Sequence, residues 1–290
     1  MLPDIWSNLG STQIAFTPSL LIGGTTALYL WGVWRVNRRE EVGHWSPRRT
    51  LAFLGAMVLV FVAIELVIGV YDSELYWDHM VQHLLLIMVS APLIAMGAPL
   101  ELLREATGGS LHKVVVRALD SKVAEVILHP LFGFVLYAVT IPVTHLTQFY
   151  NYTLVNDSVH DQEHLLFLVV GYLFWRPVVA IEPTRHPLNP WLRLVYLMAA
   201  VPVDTFCGLA LTSATHELFP FYNTFRRPWG PSLLTDLHIG GSIMWVAGDT
   251  LMLLAMIPVV VQLVRAEEAK TRELDAALDA EQARAAGSAP

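Results

Sequence analysis

Apolar residues fall into seven blocks along the chain, separated by short polar segments. Each block approaches or exceeds the roughly 18–20 residues that a helix needs to cross the hydrocarbon core of a bilayer. In lipid, backbone N–H and C=O groups must be satisfied within the segment, so each block predicts a membrane-spanning α-helix. The predicted spans cover residues 18–34, 50–70, 79–97, 126–143, 162–181, 192–212 and 239–264.

Basic residues alternate with the predicted spans. The first, third and fifth connections between spans, together with the tail and the span ends beside them, hold all but two of the 18 Lys and Arg residues. Only Arg226 and Arg227 lie on the opposite side. Positive residues concentrate on the cytoplasmic side of membrane proteins. We therefore predict an all-α, seven-helix membrane bundle over residues 1–264, with the N-terminus outside. Residues 265–290 are predicted to form a polar cytoplasmic tail.

The composition agrees with a multi-pass membrane protein. The 290 residues are 54% hydrophobic and only 15% charged, whereas about a quarter of the residues in a soluble domain are charged. The first ten residues lack the basic and apolar regions of a cleaved signal peptide, so we expect the first span to act as the targeting signal. Cys207 is the single cysteine, which excludes an intrachain disulfide.

Three spans that enter from the predicted outer face begin with acidic residues and histidines. Two further spans end at the same face near a histidine. A bundle that brings these ends together makes a histidine-rich cluster, in which the acids could orient the imidazole rings by accepting their second N–H. The entering spans carry Asp78, His79 and His83; Asp157, His160, Asp161 and His164; and Asp236 and His238, while the outgoing spans end near His145 and His216.

Two of these starts repeat one pattern, HMVQHLLLIMV at residues 79–89 and HDQEHLLFLVV at residues 160–170. Histidines four residues apart lie on one face of a helix, so both can reach one metal ion. A single pair is also typical of the membrane interface, but two pairs and a further histidine at one face favour a metal site. The candidate ligands are His79, His83, His160, His164 and His238, with His145, His216 and Met80 as weaker candidates.

The ligand types restrict the metal. Imidazole suits copper, zinc and iron, and a thioether favours Cu(I), so copper is the first choice, with zinc or haem as alternatives. Glu65, Asp204 and Asp249 lie within predicted spans, where a charge costs about 2.5–3.5 kcal/mol. They are candidates for a proton or metal relay or for hydrogen bonds between helices. No catalytic triad, phosphate loop or redox motif is visible, so we do not expect an enzyme.

Three motifs in order carry a resemblance to a known family. They are YWDHMVQHLLLIMVSAPLIAMGAPL at residues 76–100, HDQEHLLF at residues 160–167 and DLHIGGSIMWVAGD at residues 236–249. Together they resemble the polytopic bacterial cytochrome c oxidase assembly factors of CtaG type, which are associated with caa3 oxidases. The resemblance covers roughly residues 13–264 and leaves the tail outside.

The resemblance implies a multi-pass protein of the bacterial plasma membrane that matures a haem–copper oxidase, at a copper-insertion step. Its expected partners are the bilayer, oxidase subunits or other copper-delivery proteins, and no nucleic acid. Family histidines match the five candidate ligands named above. The chain lacks the cysteine pair of many copper chaperones, which favours an exchangeable His-rich site. A haem-binding membrane cytochrome and a metal or proton transporter remain as alternatives.

Overall fold

A computed structural model of the chain describes residues 3–39, 44–224 and 228–287, without the side chains of Asp157 and residues 279–287. Every regular element in these ranges is helical, as the sequence predicts. The α-helices in chain order are α1 (Phe16–Asn37), α2 (Pro47–Glu65), α3 (Val67–Tyr71), α4 (Tyr76–Leu84), α5 (Ala91–Met96), α6 (Pro99–Ala106), α7 (Gly109–Leu119), α8 (Lys122–Ile127), α9 (Pro130–Leu146), α10 (Gln148–Val155), α11 (Asp157–Val179), α12 (Pro190–Thr212), α13 (Leu233–Ser242) and α14 (Gly248–Gly287).

The chain is a membrane protein with several apolar helices. In the described ranges, four helical runs are long and apolar enough to cross a bilayer, and the bent pair α9 and α10 would be a fifth. Helices α1 and α11 also cover predicted spans, but α11 carries charged residues such as Glu163 and Arg176. The count of seven spans and the orientation of the termini therefore remain predictions, and Arg226 and Arg227 lie outside the described residues.

A break between α2 and α3 shapes the end of the bundle where the histidines lie. Leu66 adopts an extended conformation and ends α2. Glu65, just before the break, is fully buried, and its two carboxylate oxygens accept hydrogen bonds from the Ala15 amide and the Ser19 hydroxyl, both at 2.8 Å. Acceptors at a helix start satisfy amides that have no partner within the helix. Glu65 thus fastens the start of α1, which gives this acid a structural role.

Two π-helical segments interrupt the long helices near the histidines. Leu85–Ser90 connects α4 to α5, and Ile243–Ala247 connects α13 to α14. A π-helical turn changes the direction of the side chains that follow it and is frequent at functional sites. Trp175 on α11 donates from its indole nitrogen to the carbonyl oxygen of Ile87 at 2.8 Å. This bond satisfies a carbonyl of the first π-helical segment and joins that segment to α11.

Helix α13 positions the start of α4. The carboxylate of Asp236 accepts hydrogen bonds from the backbone N–H groups of Tyr76 and Trp77, at 3.2 and 3.0 Å. A Cβ atom at Gly240 would lie 2.4 Å from the Tyr76 ring, so only glycine permits this close approach of the two helices. Asp236 was predicted to orient a histidine ring; the structure shows it as the N-terminal cap of the helix that carries the first histidine pair.

Candidate metal site between the starts of α4 and α11

His79 lies at the centre of the candidate site. Its side chain is 0% exposed, and neither of its ring nitrogens makes a hydrogen bond of good geometry with a described residue, although the backbone of Asp72 lies close to the ring. Its ring contacts those of His83 and His160, with centroids 4.2 and 5.2 Å away. Buried polar atoms are nearly always hydrogen-bonded in folded proteins. Two unpartnered nitrogens on one buried ring therefore indicate an imidazole that is kept available for a ligand.

Two groups of three residues around His79 have the spacing of metal ligands. One group is Asp72, His79 and His160, and the other is His79, His83 and Glu163; within each, the ligand atoms lie within 4.8 Å of one another. A four-coordinate ion with bonds of about 2.0–2.2 Å brings its ligand atoms to about 3.3–3.6 Å. Small side-chain rotations would therefore suffice to close either group around an ion.

Glu163 is the less expected member of these groups. It is 1% exposed, and neither carboxylate oxygen has a hydrogen-bond partner within the described part of the chain. The Thr153 hydroxyl lies beside it but donates to the Tyr150 carbonyl oxygen at 2.8 Å. A buried carboxylate without a compensating partner is costly, so a bound cation would stabilise this side chain.

Gln82 orients the carboxylate of Asp72, the acid of the other ligand group. Its side-chain nitrogen donates to the carbonyl oxygen of Ala63 and to Oδ2 of Asp72, both at 2.9 Å. Because a carbonyl oxygen only accepts hydrogen bonds, this contact fixes the orientation of the amide. The Ala63 carbonyl is free to accept because α2 ends at Glu65. Burial raises the pKa of the Asp72 carboxyl, and the nearby His160 and the Gln82 hydrogen bond partly oppose that rise.

The same amide fixes the tautomer of His164. Oε1 of Gln82 lies 3.0 Å from Nε2 of His164, and an amide oxygen can only accept, so Nε2 carries the proton. Nδ1 of the neutral ring then has a free lone pair, and this buried atom has no hydrogen-bond partner in the described ranges. The His164 ring also contacts that of His160, with centroids 4.4 Å apart.

His145 on α9 fixes the tautomer of His83 in a similar way. Nδ1 of His145 lies 2.9 Å from the carbonyl oxygen of Ile141 and therefore carries a proton. With both rings neutral, Nε2 of His145 accepts from Nδ1 of His83 at 3.2 Å. Nε2 of His83 then presents its lone pair, and no described residue is hydrogen-bonded to it. This second-layer contact is the usual way in which a protein orients an imidazole ligand.

Aromatic side chains close the site from one side. The edge of the Tyr150 ring lies against His79, with centroids 4.9 Å apart. The Tyr222 hydroxyl donates to the Asp72 carbonyl oxygen at 3.2 Å and lies 2.7 Å from the Tyr150 hydroxyl. The most exposed side chain of the two ligand groups is His160, at 13%, so an ion would reach the site past that ring.

Two of the predicted histidine ligands lie apart from this cluster. Nε2 of His238 lies 2.8 Å from the carbonyl oxygen of Ala214, which accepts a hydrogen bond from the ring. His216 is an exposed loop residue with its ring beside Thr215. His216 was grouped with the others only by its position at one end of the bundle, and His238 by that position and by the family resemblance.

Met80 faces a different cavity from that of the ligand groups. The cavity has a volume of about 20 Å³, and its lining includes Met80, Met88, Met244 and His83. The two further methionines come from the π-helical segments. Met80 is therefore buried beside His83, and it belongs to neither ligand group.

The remaining predicted acids divide by their contacts. Asp78 is buried on the first turn of α4, whereas Asp161 is exposed on α11, and the side chain of Asp157 lies outside the described residues. Deeper in the bundle, Asp204 accepts a hydrogen bond from the Tyr137 hydroxyl at 2.6 Å, and Asp249 accepts one from Thr205 at 2.7 Å. Both acids thus take part in hydrogen bonds between helices, while Oδ1 of Asp249 is buried without a partner in the described ranges.

Sequence reasoning missed Asp72, Gln82 and Glu163. Glu163 lies three residues after His160 and therefore on the same helical face, which is a signal that HDQEH already contained. Asp72 lies in the turn before α4, and only the break after α2 brings it to the histidines. Gln82 lies three residues after His79, at the position in HMVQH that Glu163 has in HDQEH, so the same signal was present in the first pair.

The fold and the site define a helical membrane protein with a buried cluster of histidines and carboxylates at one end of the bundle. The chain belongs to the family of cytochrome c oxidase caa3 assembly factors (Caa3_CtaG), whose model matches residues 27–266. The family membership agrees with the resemblance carried by the three motifs.

Curated relatives of the chain come from mycobacteria. A protein of Mycobacterium leprae (strain TN) is 28% identical over 258 residues, which make up 84% of this chain and 39% of that protein. A protein of Mycobacterium bovis (strain ATCC BAA-935 / AF2122/97) is 28% identical over 236 residues, 78% of this chain and 36% of that protein. Both are described as uncharacterized proteins. The chain thus spans less than two fifths of the length of these relatives, and no solved structure matches it.

Proposed function

We propose that the protein holds copper at the His79 cluster and passes it on during maturation of a haem–copper oxidase. The observation that carries the proposal is the set of buried ligand atoms without hydrogen-bond partners in the described ranges: both nitrogens of His79, Nε2 of His83 and both oxygens of Glu163. Membership in an oxidase assembly family supplies the biological context. Such a role is a delivery role and not that of an enzyme.

The ligand chemistry supports an exchangeable site. Imidazole and carboxylate groups bind copper without the thiolates that make chaperone sites very tight. Cys207, the only cysteine, is buried on α12 and belongs to the apolar core. The predicted orientation would place the cluster at the outer face of the plasma membrane, where oxidase subunits or other copper-delivery proteins would meet it.

The alternatives receive less support from the geometry. Pockets for cofactor-sized ligands have volumes of about 300–1,000 Å³, whereas the cavity against His83 and His145 has a volume of about 20 Å³. This cavity is too small for a haem. A relay through the membrane-embedded acids is weakened because Glu65, Asp204 and Asp249 each accept a hydrogen bond from a neighbouring residue.

Metal binding by the purified full chain in detergent tests the proposal. We expect one tightly bound copper per chain, and loss of at least 90% of it in the His79→Gln variant, because His79 belongs to both ligand groups. The matched control is His216→Gln, which changes an exposed histidine outside the cluster. Both Cu(I), added anaerobically, and Cu(II) are used, with Zn(II) as a competitor.

Three outcomes would contradict the proposal. One is equal copper content in wild type and His79→Gln, and the second is a tenfold preference for zinc over both copper ions. The third is a haem absorption band in the purified protein with no copper uptake. Thermal unfolding of each variant in the same detergent separates loss of the site from loss of the fold.

A further inference from the structure

The two ligand groups around His79 differ in their access to the surroundings. His160 is the one member of the two groups that is only partly buried, with its side chain 13% exposed. Asp72, its partner in the first group, is 4% exposed, and His83 and Glu163 of the second group are 3% and 1% exposed. Each pair forms a group with His79 in which the ligand atoms lie within 4.8 Å, but the described residues contain no single group within that distance that unites all five.

From this arrangement we propose that the cluster provides two successive positions for one copper ion, which share His79. In the entry position, Asp72, His79 and His160 bind the ion; in the holding position, His79, His83 and Glu163 bind it. This inference rests on the proposed copper-handling function. Both positions adjoin one imidazole, so the repulsion between two cations favours occupation by one ion at a time.

Movement between the positions is a ligand exchange. The ion keeps His79 while the Asp72 oxygen and the His160 nitrogen leave and the Glu163 oxygen and the His83 nitrogen bind. One carboxylate replaces another and one imidazole replaces another, so the charge of the ligand set is unchanged and no electron is transferred. The second-layer contacts keep both pairs in place, since Gln82 holds Asp72 and His145 holds His83.

A chase experiment on the full chain in detergent tests the two positions, with one equivalent of Cu(II) as the probe. Copper binding is followed by electron paramagnetic resonance, and release is measured after addition of EDTA. Asp72→Asn and His160→Gln change the entry position, whereas Glu163→Gln and His83→Gln change the holding position. His79→Gln gives the background, and Asp161→Asn, an exposed acid on the second turn of α11, is the matched control.

We expect the two pairs of variants to have opposite effects on release. Entry variants should load and release copper at least tenfold more slowly, because the ion can no longer pass through the entry position. Their equilibrium affinity should stay within about threefold of wild type, because the holding position is unchanged. Holding variants should lose at least tenfold in affinity and release copper faster. Two variants per position keep the test valid if one fails to fold.

Several results would overturn the two-position scheme. Equal losses of affinity in all four variants, with faster release from Asp72→Asn, would show a single site with five ligands. Two tightly bound copper ions per wild-type chain would show two independent sites. Absence of copper from the wild type above the His79→Gln background would overturn the proposed function and this scheme together, whereas the first two results leave the proposed function intact.

Discussion

Gln82 is the residue on which several parts of the candidate site depend. One amide group satisfies the Ala63 carbonyl, holds the Asp72 carboxylate and fixes the tautomer of His164. The side chain is 0% exposed, so water cannot replace these contacts. Its hydrogen bonds join the break after α2, the turn before α4 and the start of α11.

Replacing Gln82 with methionine should weaken both the fold and the site. A buried carbonyl left without a donor costs about 1–3 kcal/mol, and without the amide Asp72 loses the hydrogen bond that holds it in the entry position, so copper loading should slow. Thermal unfolding and the rate of copper loading of the variant measure the two effects. Gln162→Met is the control, because Gln162 is exposed and bonded to Ser158 within its own helix. An unchanged rate of copper loading in Gln82→Met would show that Asp72 needs no support.

At the residue scale, the sequence predicts the histidines better than their partners. The spacing of His79 with His83 and of His160 with His164 follows from the geometry of a single helix, which is local. The contribution of Asp72 depends on a break in a different helix, and the role of His145 depends on the contact of its ring on α9 with His83 on α4. Such contacts between distant segments leave no periodic signal in one sequence.

At the scale of elements, the break between α2 and α3 requires a residue without a side chain at position 69. A Cβ atom at Gly69 would lie 1.8 Å from the carbonyl oxygen of Ile64, which is backbone and cannot rotate away. The apolar run of residues 50–70 predicts one straight span, and nothing in its hydropathy marks the break at Leu66. The break frees the Ala63 carbonyl for Gln82 and carries Asp72 to the cluster.

Gly69→Ala should therefore destabilise the protein by about 1–3 kcal/mol, the usual cost of forcing extra atoms into a packed site. Gly55→Ala, in α2, is the matched control, because a Cβ atom there meets nothing within 4 Å and alanine favours a helix by about 0.5–1 kcal/mol. Thermal unfolding of both variants in one detergent checks the difference. A Gly69→Ala protein as stable as wild type would mean that the break can shift without loss.

At the scale of the whole molecule, the end of α14 is separate from the bundle. The helix continues to Gly287, and its side chains from residue 265 to residue 278 are exposed. The sequence predicts this tail as a polar helix from its content of Ala, Glu and Arg. The bundle itself was predictable as helical, because in lipid each apolar block must satisfy its own backbone.

Removal of residues 267–290 should leave the bundle unchanged. Surface changes away from packed contacts usually alter the free energy of unfolding by less than about 0.5 kcal/mol, and these residues lie outside the family match, which ends at residue 266. The melting temperature and copper content of the truncated and full chains provide the measurement. A lower copper content in the truncated chain would reveal a contact between the tail and the bundle that the exposed side chains do not indicate.

The bend of 73° between α9 and α10 limits the side from which another protein can reach the candidate site. The bend turns α10 across the end of the bundle, and Tyr150 on that helix covers His79. Under the proposed function, a second protein that receives the ion would therefore approach from the side of His160 and α11. Orientation reduces the fraction of productive encounters between proteins, so we expect handover to be fast only for a partner that first aligns with α11.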